Sequence, residues 1–273
     1  MPNWVMSSII VNNEKDFEKL KELLVNENGQ IDFEKLIPTP QELNITAGCY
    51  EWETDVYNLG FKNDIITKQN EILKPLLDKI YDVYNNNNTT KDTLTQERFV
   101  NTAINFSDVV NAIQKVHNRD DMQNEDLKNV LKGYYNFRKY GFTNWYDFHN
   151  AKWGTKWNVD DTACIGNLSM CFQTAWDTPL GIFKELSKYI DFTVGYADED
   201  IGSNFGVIEV KNGEAYIDNF EDLSKEEKYY VSSILNGQDD YDYEELCEMC
   251  DIPMISEEER KRLNTELNID RFY

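Results

Sequence analysis

The amino-acid sequence predicts an α+β fold in which a βαβ-type sandwich carries a helical insertion and an acidic helical C-terminal extension. Three observations support this prediction. The first 40 residues read as strand, helix and strand, and residues 168–217 alternate as strands around one helix. Between these segments, and again after residue 219, the apolar residues return at helical spacing. This order of elements is typical of a sheet that packs against helices.

The amino-terminal unit is predicted from a β-branched stretch and an amphipathic helix. Trp4–Val11 is short and rich in β-branched residues, so we expect a strand. Asn12 or Asn13 can cap the following helix, which we expect to end at Asn28-Gly29. Gln30–Ile37 alternates apolar and polar residues and predicts a second strand.

The rest of the chain is predicted from the same kinds of signal. Helical spacing predicts an insertion with helices at 64–84, 95–117 and 124–140, because so long a segment is too much for a bare loop. Alternation predicts strands at 168–175, 191–196, 204–210 and 214–217, with Asn212-Gly213 as a hairpin turn. Three short acidic helices are expected at 224–235, 242–250 and 256–267, where Ser224 and Ser256 open capping-box patterns.

Charge is the most pronounced global property of the chain. The formal net charge is −23, and residues 191–259 contribute 21 acidic residues against three lysines. Such a field repels nucleic-acid backbones and anionic lipid, so we expect neither direct nucleic-acid binding nor membrane association. It suits a basic protein partner, or it simply provides solubility. No long apolar run or basic amino-terminal leader is present, and five cysteines without a small-scaffold spacing favour reduced thiols in a cytoplasmic protein.

Several separated motifs together resemble a known family. They are MPNW at residues 1–4, IPTP at 37–40, WGTKWN at 153–158 and TAW at 174–176. They are similar to phage- and plasmid-borne proteins that share a ferredoxin-like domain. The resemblance implies a ferredoxin-like βαβ…βαβ sheet with helices on one face, and a viral or mobile-element origin. It divides the chain into a discontinuous core (1–43 and 141–218), a helical insertion (44–140) and the acidic extension (219–273). It implies no activity, because one fold hosts many functions.

The tryptophan motif has two interpretations. Trp153, Lys156, Trp157 and Trp176 could line a pocket for a small molecule or nucleotide, as aromatic and cationic side chains do. Alternatively, the tryptophans lock a tight corner against the sheet while the lysine stem packs over a ring.

No catalytic or metal site is predicted, and we expect no cofactor. Cys247 and Cys250 form a CxxC pair, but acids surround it and both histidines are distant in sequence, so two buried small residues are the simpler interpretation. Counted from Asp240, Glu245 stands where a calcium-binding EF-hand loop requires glycine. Two histidines also leave few general bases near neutral pH, so we expect a protein that is not an enzyme; a metal-dependent hydrolase is the remaining enzymatic alternative.

The functional expectation is therefore a non-enzymatic phage or mobile-element protein that inhibits a host protein with a basic surface. The target would be a defence or nucleic-acid-handling complex, for which the acids act as a nucleic-acid mimic. Self-association into a homo-oligomer remains open. The residues expected to contact the partner lie in and just before the second of the three predicted acidic helices: Asp239, Asp240, Asp242, Glu244, Glu245 and Glu248.

Overall fold

The computed structural model describes residues 3–47, 82–83, 95–103, 124–160 and 163–272. Contacts divide the chain into two units, one formed by Met1–Pro38 with His149–Tyr273 and the other by Thr39–Phe148. The helix predicted at 64–84 and the second half of the helix predicted at 95–117 lie outside the described residues, apart from two helical residues at 82–83.

The first unit contains a six-stranded antiparallel sheet. The α+β and ferredoxin-like fold predictions are thereby confirmed at the level of architecture. The predicted strands other than the one at 30–37 are present, with ends shifted by one or two residues. In chain order the strands are β1 (Trp4–Ile10), β2 (Cys164–Ile165), β3 (Ser169–Ala175), β4 (Phe192–Asp198), β5 (Phe205–Lys211) and β6 (Glu214–Asp218). Across the sheet they lie in the order β2-β3-β1-β4-β5-β6.

β1 lies between β3 and β4 and pairs with both along nearly its full length. β3 and β4 are joined by the helix that we label α5 (Leu180–Leu186), so this βαβ connection passes across β1. β5 and β6 form a hairpin closed by Asn212 and Gly213, which both have positive φ angles of 51° and 79°. That conformation is the one that an Asn-Gly turn favours, so the predicted hairpin is confirmed.

The strand predicted at 30–37 is wrong. α1 (Glu14–Leu24), which Asn13 caps as predicted, ends at Leu24 rather than near Asn28-Gly29. Gly29 instead lies in a turn that joins Val25 and Ile31 through a single antiparallel bridge. After this bridge, Asp32 accepts a hydrogen bond from the Glu34 amide and starts a 3₁₀ turn at Phe33–Lys35. The local side-chain bond competes with extended pairing, so the alternating residues reach the core without forming a strand.

Helices cover both faces of the sheet, and the expectation of helices on one face is wrong. α1 and α5 pack on one face, where Val194 of β4 and Ile208 of β5 join their core. Ala197 and Phe205 join a second core with the carboxy-terminal helices. Gly195 permits this close packing, because a Cβ there would lie 2.9 Å from Leu235 Cδ2.

The carboxy-terminal helices begin and end close to their predicted positions. They are α6 (Lys225–Leu235), α7 (Asp240–Cys250) and α8 (Glu257–Leu267), followed by a 3₁₀ turn at Asp270–Phe272. The capping box predicted at Ser224 is complete, because its hydroxyl accepts from the Glu227 amide and the Glu227 carboxylate accepts from the Ser224 amide. At the start of α8, the Ser256 hydroxyl likewise accepts a hydrogen bond from the Glu259 amide.

The second unit is described in part. Its described residues include the helices α2 (Gln96–Ala103) and α3 (Asn124–Tyr140), and α3 confirms the helix predicted at 124–140; α4 (Trp145–Lys152) follows. Buried Asn136 donates to the carbonyl oxygens of Glu42 at 2.7 Å and Thr143 at 3.0 Å. Its own carbonyl oxygen accepts from Gln96 Nε2 at 2.8 Å, so one amide joins the segment before the helices to α2 and α3.

Candidate partner-binding surface and tryptophan corner

The acidic cluster predicted to contact a partner starts α7. The Asp242 amide donates to Asp239 Oδ1 at 2.9 Å, and the Asp239 amide donates to Asp242 Oδ2 at 3.2 Å. These reciprocal bonds have the pattern of a capping box, so two of the six predicted acids also serve the helix start. Asp240 occupies the first position of α7, and its side chain lies outside the described part of the structure.

Arg260 fixes α7 against α8. Its guanidinium lies 3.6 Å from Glu244 Oε1 and 5.0 Å from the ring centroid of Tyr243. Tyr243 is fully buried and its hydroxyl accepts a hydrogen bond from the Ile255 amide at 3.3 Å. Burial, followed by the contact with Cys247, raises the pKa of Tyr243 to about 12. A neutral phenol in the core and a cation above its face therefore hold the helix in place.

Exposed methionines lie among the remaining acids of this region. Met249 is 80% exposed on α7, and Met254 is 51% exposed in the segment between α7 and α8. Arg260 Nη2 is 3.9 Å from Met254 Sδ and therefore links this side chain to Glu244. We define the acidic–methionine surface as Asp242, Glu244, Glu245, Glu248, Met249 and Met254, all of which are exposed.

Basic residues are unevenly distributed around this surface. Between Lys228 and Arg260 the sequence contains no lysine or arginine, so α7 has no cation of its own. α8, in contrast, carries its own cations. Lys261 pairs with Glu257 at 2.6 Å, and Arg262 pairs with Glu266 at 2.9 Å and also with Glu227. The negative potential is therefore expected to be strongest at α7.

Trp153 supports the fold at the corner that follows α4. It is buried, its Nε1 donates to the Ile37 carbonyl oxygen at 2.9 Å, and its ring meets Phe33 edge-on at 5.8 Å between centroids. The ring of His149 stacks on it. These contacts match the interpretation in which a tryptophan locks the corner.

Two glycines allow α5 to approach this corner closely. Gly154 has a φ of +87°, and a Cβ on Gly181 would lie only 2.0 Å from the Lys152 carbonyl oxygen. The Gly181 amide donates to the Trp153 carbonyl oxygen at 3.0 Å. Thr155 then donates its buried hydroxyl to the Ala175 carbonyl oxygen at 2.9 Å and ties the corner to the end of β3.

The other residues predicted to line a pocket are more exposed than Trp153. Lys156 Nζ lies 4.3 Å from the ring centroid of Trp157, which is 38% exposed. The ring of Trp4 lies near Trp157, with 6.5 Å between centroids, although the sequence analysis did not include Trp4 among the pocket residues. Trp176 is 55% exposed, has a φ of 72° and donates its amide to the Asn3 carbonyl oxygen.

One cysteine of the CxxC pair lies in the core and the other lies on the surface. Cys247 is buried against Tyr243, whereas Cys250 is exposed, so the prediction of two buried cysteines is wrong for the second. The two positions differ because α7 presents only one of its stripes to the core.

Cys250 borders a surface pocket of about 720 Å³ that sequence reasoning missed. The loop Glu199–Ser203 forms one wall, and Lys225, Lys228 and Tyr229 from α6 form another. Burial, followed by the nearby Cys250, raises the pKa of Tyr229. The lining carries both signs of charge, and its residues are far apart in sequence, so no local motif predicts it.

Within the described ranges, no three His, Cys, Asp or Glu side chains are grouped so that they could hold a metal ion. A search of the same residues for a helix long and apolar enough to cross a membrane also found none.

Comparison with known families finds one similarity. Residues 152–266 match the family model of the ferredoxin-like domain in Api92-like protein. The segment that is similar to this domain runs from the end of α4 into α8. The match continues past residue 218, where the sequence analysis ended the ferredoxin-like core, while β1 lies before it. Comparisons with curated proteins and with solved structures gave no match.

Proposed function

We propose that the chain is a non-enzymatic phage or mobile-element protein that binds and inhibits a basic host protein through the acidic–methionine surface. The partner class is a defence or nucleic-acid-handling complex in the host cytoplasm. The observation that carries the proposal is that exposed Met249 lies among carboxylates on a helix without lysine or arginine, with exposed Met254 in the segment that follows this helix.

Each component of the surface supports a different part of the proposal. Carboxylates steer a basic partner into encounter and occupy the positions of phosphates. Methionines adapt their shape to an apolar contact, and they are enriched at protein interfaces. Arg260 and Tyr243 connect α7 to the buried core, so the surface is held on a fixed support before binding.

A second candidate function follows from the exposed pair of Lys156 and Trp157. A cation 4.3 Å from an exposed indole, with Trp4 nearby, is a surface on which a planar ligand can stack. Trp153 would not take part, because its ring is enclosed by Phe33 and His149. This candidate predicts that binding is lost in the Trp157→Ala variant and retained when acids of α7 are neutralised.

The proposal is tested by capture of host proteins on the immobilised full chain at low and at high salt. The double variant Glu245→Gln with Glu248→Gln removes two exposed carboxylates of α7. The matched control, Glu22→Gln with Glu27→Gln, makes the same charge change around α1. We expect a basic protein that wild type and control retain at low salt, that double-stranded DNA displaces, and that the α7 variant loses. Equal retention by the α7 variant would contradict the proposal.

A further inference from the structure

Two cysteines face each other on adjacent strands at the edge of the sheet. Cys164 of β2 is the direct antiparallel partner of Cys171 of β3. The hairpin that joins them is tight, because the Gly166 amide donates to the Ser169 carbonyl oxygen at 2.9 Å and Leu168 has a φ of 59°. Cys164 is exposed and Cys171 is half-buried, and both are free thiols.

We propose that Cys164 and Cys171 form a dithiol site that closes a reversible intrachain disulfide by exchange with a small disulfide such as oxidised glutathione. Directly opposed residues on antiparallel strands have Cα atoms about 4.5 to 5.5 Å apart. Disulfides span Cα separations of about 4.4 to 6.8 Å, so the register allows closure without a shift of the strands. This site is separate from the proposed partner-binding function.

The different exposure of the two thiols determines the order in which they react. Exposed Cys164 is accessible to a small disulfide, and its thiolate attacks one sulfur of that molecule. One thiol is released and a mixed disulfide remains on Cys164. Cys171 then attacks Cys164 Sγ and expels the second thiol. Two protein thiols are thus oxidised by two electrons, while the small disulfide is reduced to two thiols.

Cys171 is suited to the second step. Ser8 Oγ donates to Cys171 Sγ at 3.4 Å and orients the sulfur. Burial, despite the Ser8 hydrogen bond, raises the pKa of Cys171, and the neighbouring Cys164 adds to this increase. A half-buried thiol with a raised pKa reacts poorly with an external reagent but remains beside a sulfur on the opposite strand. The product would hold β2, a strand of two residues, covalently to the sheet.

The test uses the full chain incubated with oxidised glutathione, followed by alkylation of free thiols and digestion with trypsin. The sequence has no lysine or arginine between Lys156 and Lys184, so one peptide, residues 157–184, contains both cysteines and no other. We expect the mass of this peptide to be that of the unalkylated peptide less two hydrogens, because neither cysteine remains free to react with the alkylating reagent. Met170 lies between the two cysteines, so cyanogen bromide should give fragments that remain joined until they are reduced.

Single variants separate closure from simple oxidation of an exposed thiol. Cys171→Ser should retain glutathione on Cys164, because the second step is removed. Cys164→Ser should react about tenfold more slowly at Cys171. Cys250→Ser removes another exposed thiol and should leave closure unchanged. Wild-type protein that keeps glutathione on Cys164 as Cys171→Ser does, or that forms disulfides between molecules, would overturn the proposal.

Discussion

The imidazole ring of His149 lies parallel to the indole ring of Trp153, with centroids 3.6 Å apart and planes inclined by 13°. His149 Nδ1 is 2.9 Å from the Lys156 carbonyl oxygen, and because a carbonyl only accepts, Nδ1 carries the hydrogen. Nε2 is 3.9 Å from Glu34 Oε1. Burial lowers the pKa of His149, and the Lys156 carbonyl and Glu34 oppose this shift without cancelling it.

The lowered pKa predicts a pH dependence of stability. The unfolded chain binds more protons at this histidine than the folded chain does. The contribution is therefore complete above the unfolded pKa of about 6.5 and is lost as the pH falls from there through the lower pKa of the folded state. We expect the free energy of unfolding to fall more steeply from about pH 7.5 to about pH 5.5 in wild type than in His149→Phe. Urea denaturation at several pH values measures this difference, and equal slopes would contradict it.

Gly181→Ala should destabilise the protein strongly. The new Cβ would meet the Lys152 carbonyl oxygen, a backbone atom that cannot move aside like a flexible side chain. We expect a loss of about 3 kcal/mol, as in severe overpacking. Gly29→Ala is the control, since its Cβ has open space and only the positive φ opposes it, at about 1 kcal/mol. Thermal or urea unfolding of both variants checks the difference, and similar losses would show that the close approach is not required.

The two tryptophans of the corner should respond differently to truncation. Trp153→Ala removes a buried ring and leaves the Ile37 carbonyl without its donor, so we expect a loss of about 4 kcal/mol. Trp157→Ala removes an exposed ring and its contact with Lys156, with a loss of about 1 kcal/mol. Equilibrium denaturation would measure both values. A Trp157→Ala loss as large as that of Trp153→Ala would place Trp157 in the core instead.

The acids and the methionines of α7 should affect different rate constants of partner binding. Neutralisation of Glu245 and Glu248 should lower the association rate constant about tenfold at low salt and reduce its salt dependence, because these charges act on encounter. Met249→Ser should instead increase the dissociation rate constant, because the methionine contacts the partner only after docking. Surface plasmon resonance with the captured partner separates the two effects. Identical changes in both variants would contradict this division.

Local signals predicted the parts of the fold that short-range chemistry controls. Asn13 and Ser224 cap helices because their side chains reach amides three residues away. Asn212 and Gly213 make their turn because both accept positive φ angles. The same reasoning failed at residues 30–37, where alternation predicted a strand. Asp32 starts a 3₁₀ turn there, and both edges of β1 are already paired, with β3 and with β4.

The candidate surfaces also combine properties that the sequence predicts with properties that it does not. The acidity of α7 and its lack of lysine and arginine are properties of the sequence alone. Sequence spacing could not separate buried Trp153 from exposed Trp157, because a corner gives neighbouring residues unrelated directions. It also could not place Cys164 opposite Cys171, since that depends on strand register.

The sequence by itself therefore determined the fold class, most helix and strand positions and the charge of the carboxy-terminal helices, because periodicity, capping and ionisation act within a few residues. Only the tertiary structure decided that helices cover both faces of the sheet, which tryptophan is buried, and which thiols meet. The physical reason is that burial and strand pairing join residues distant in sequence, and the free energy of those contacts depends on the whole arrangement.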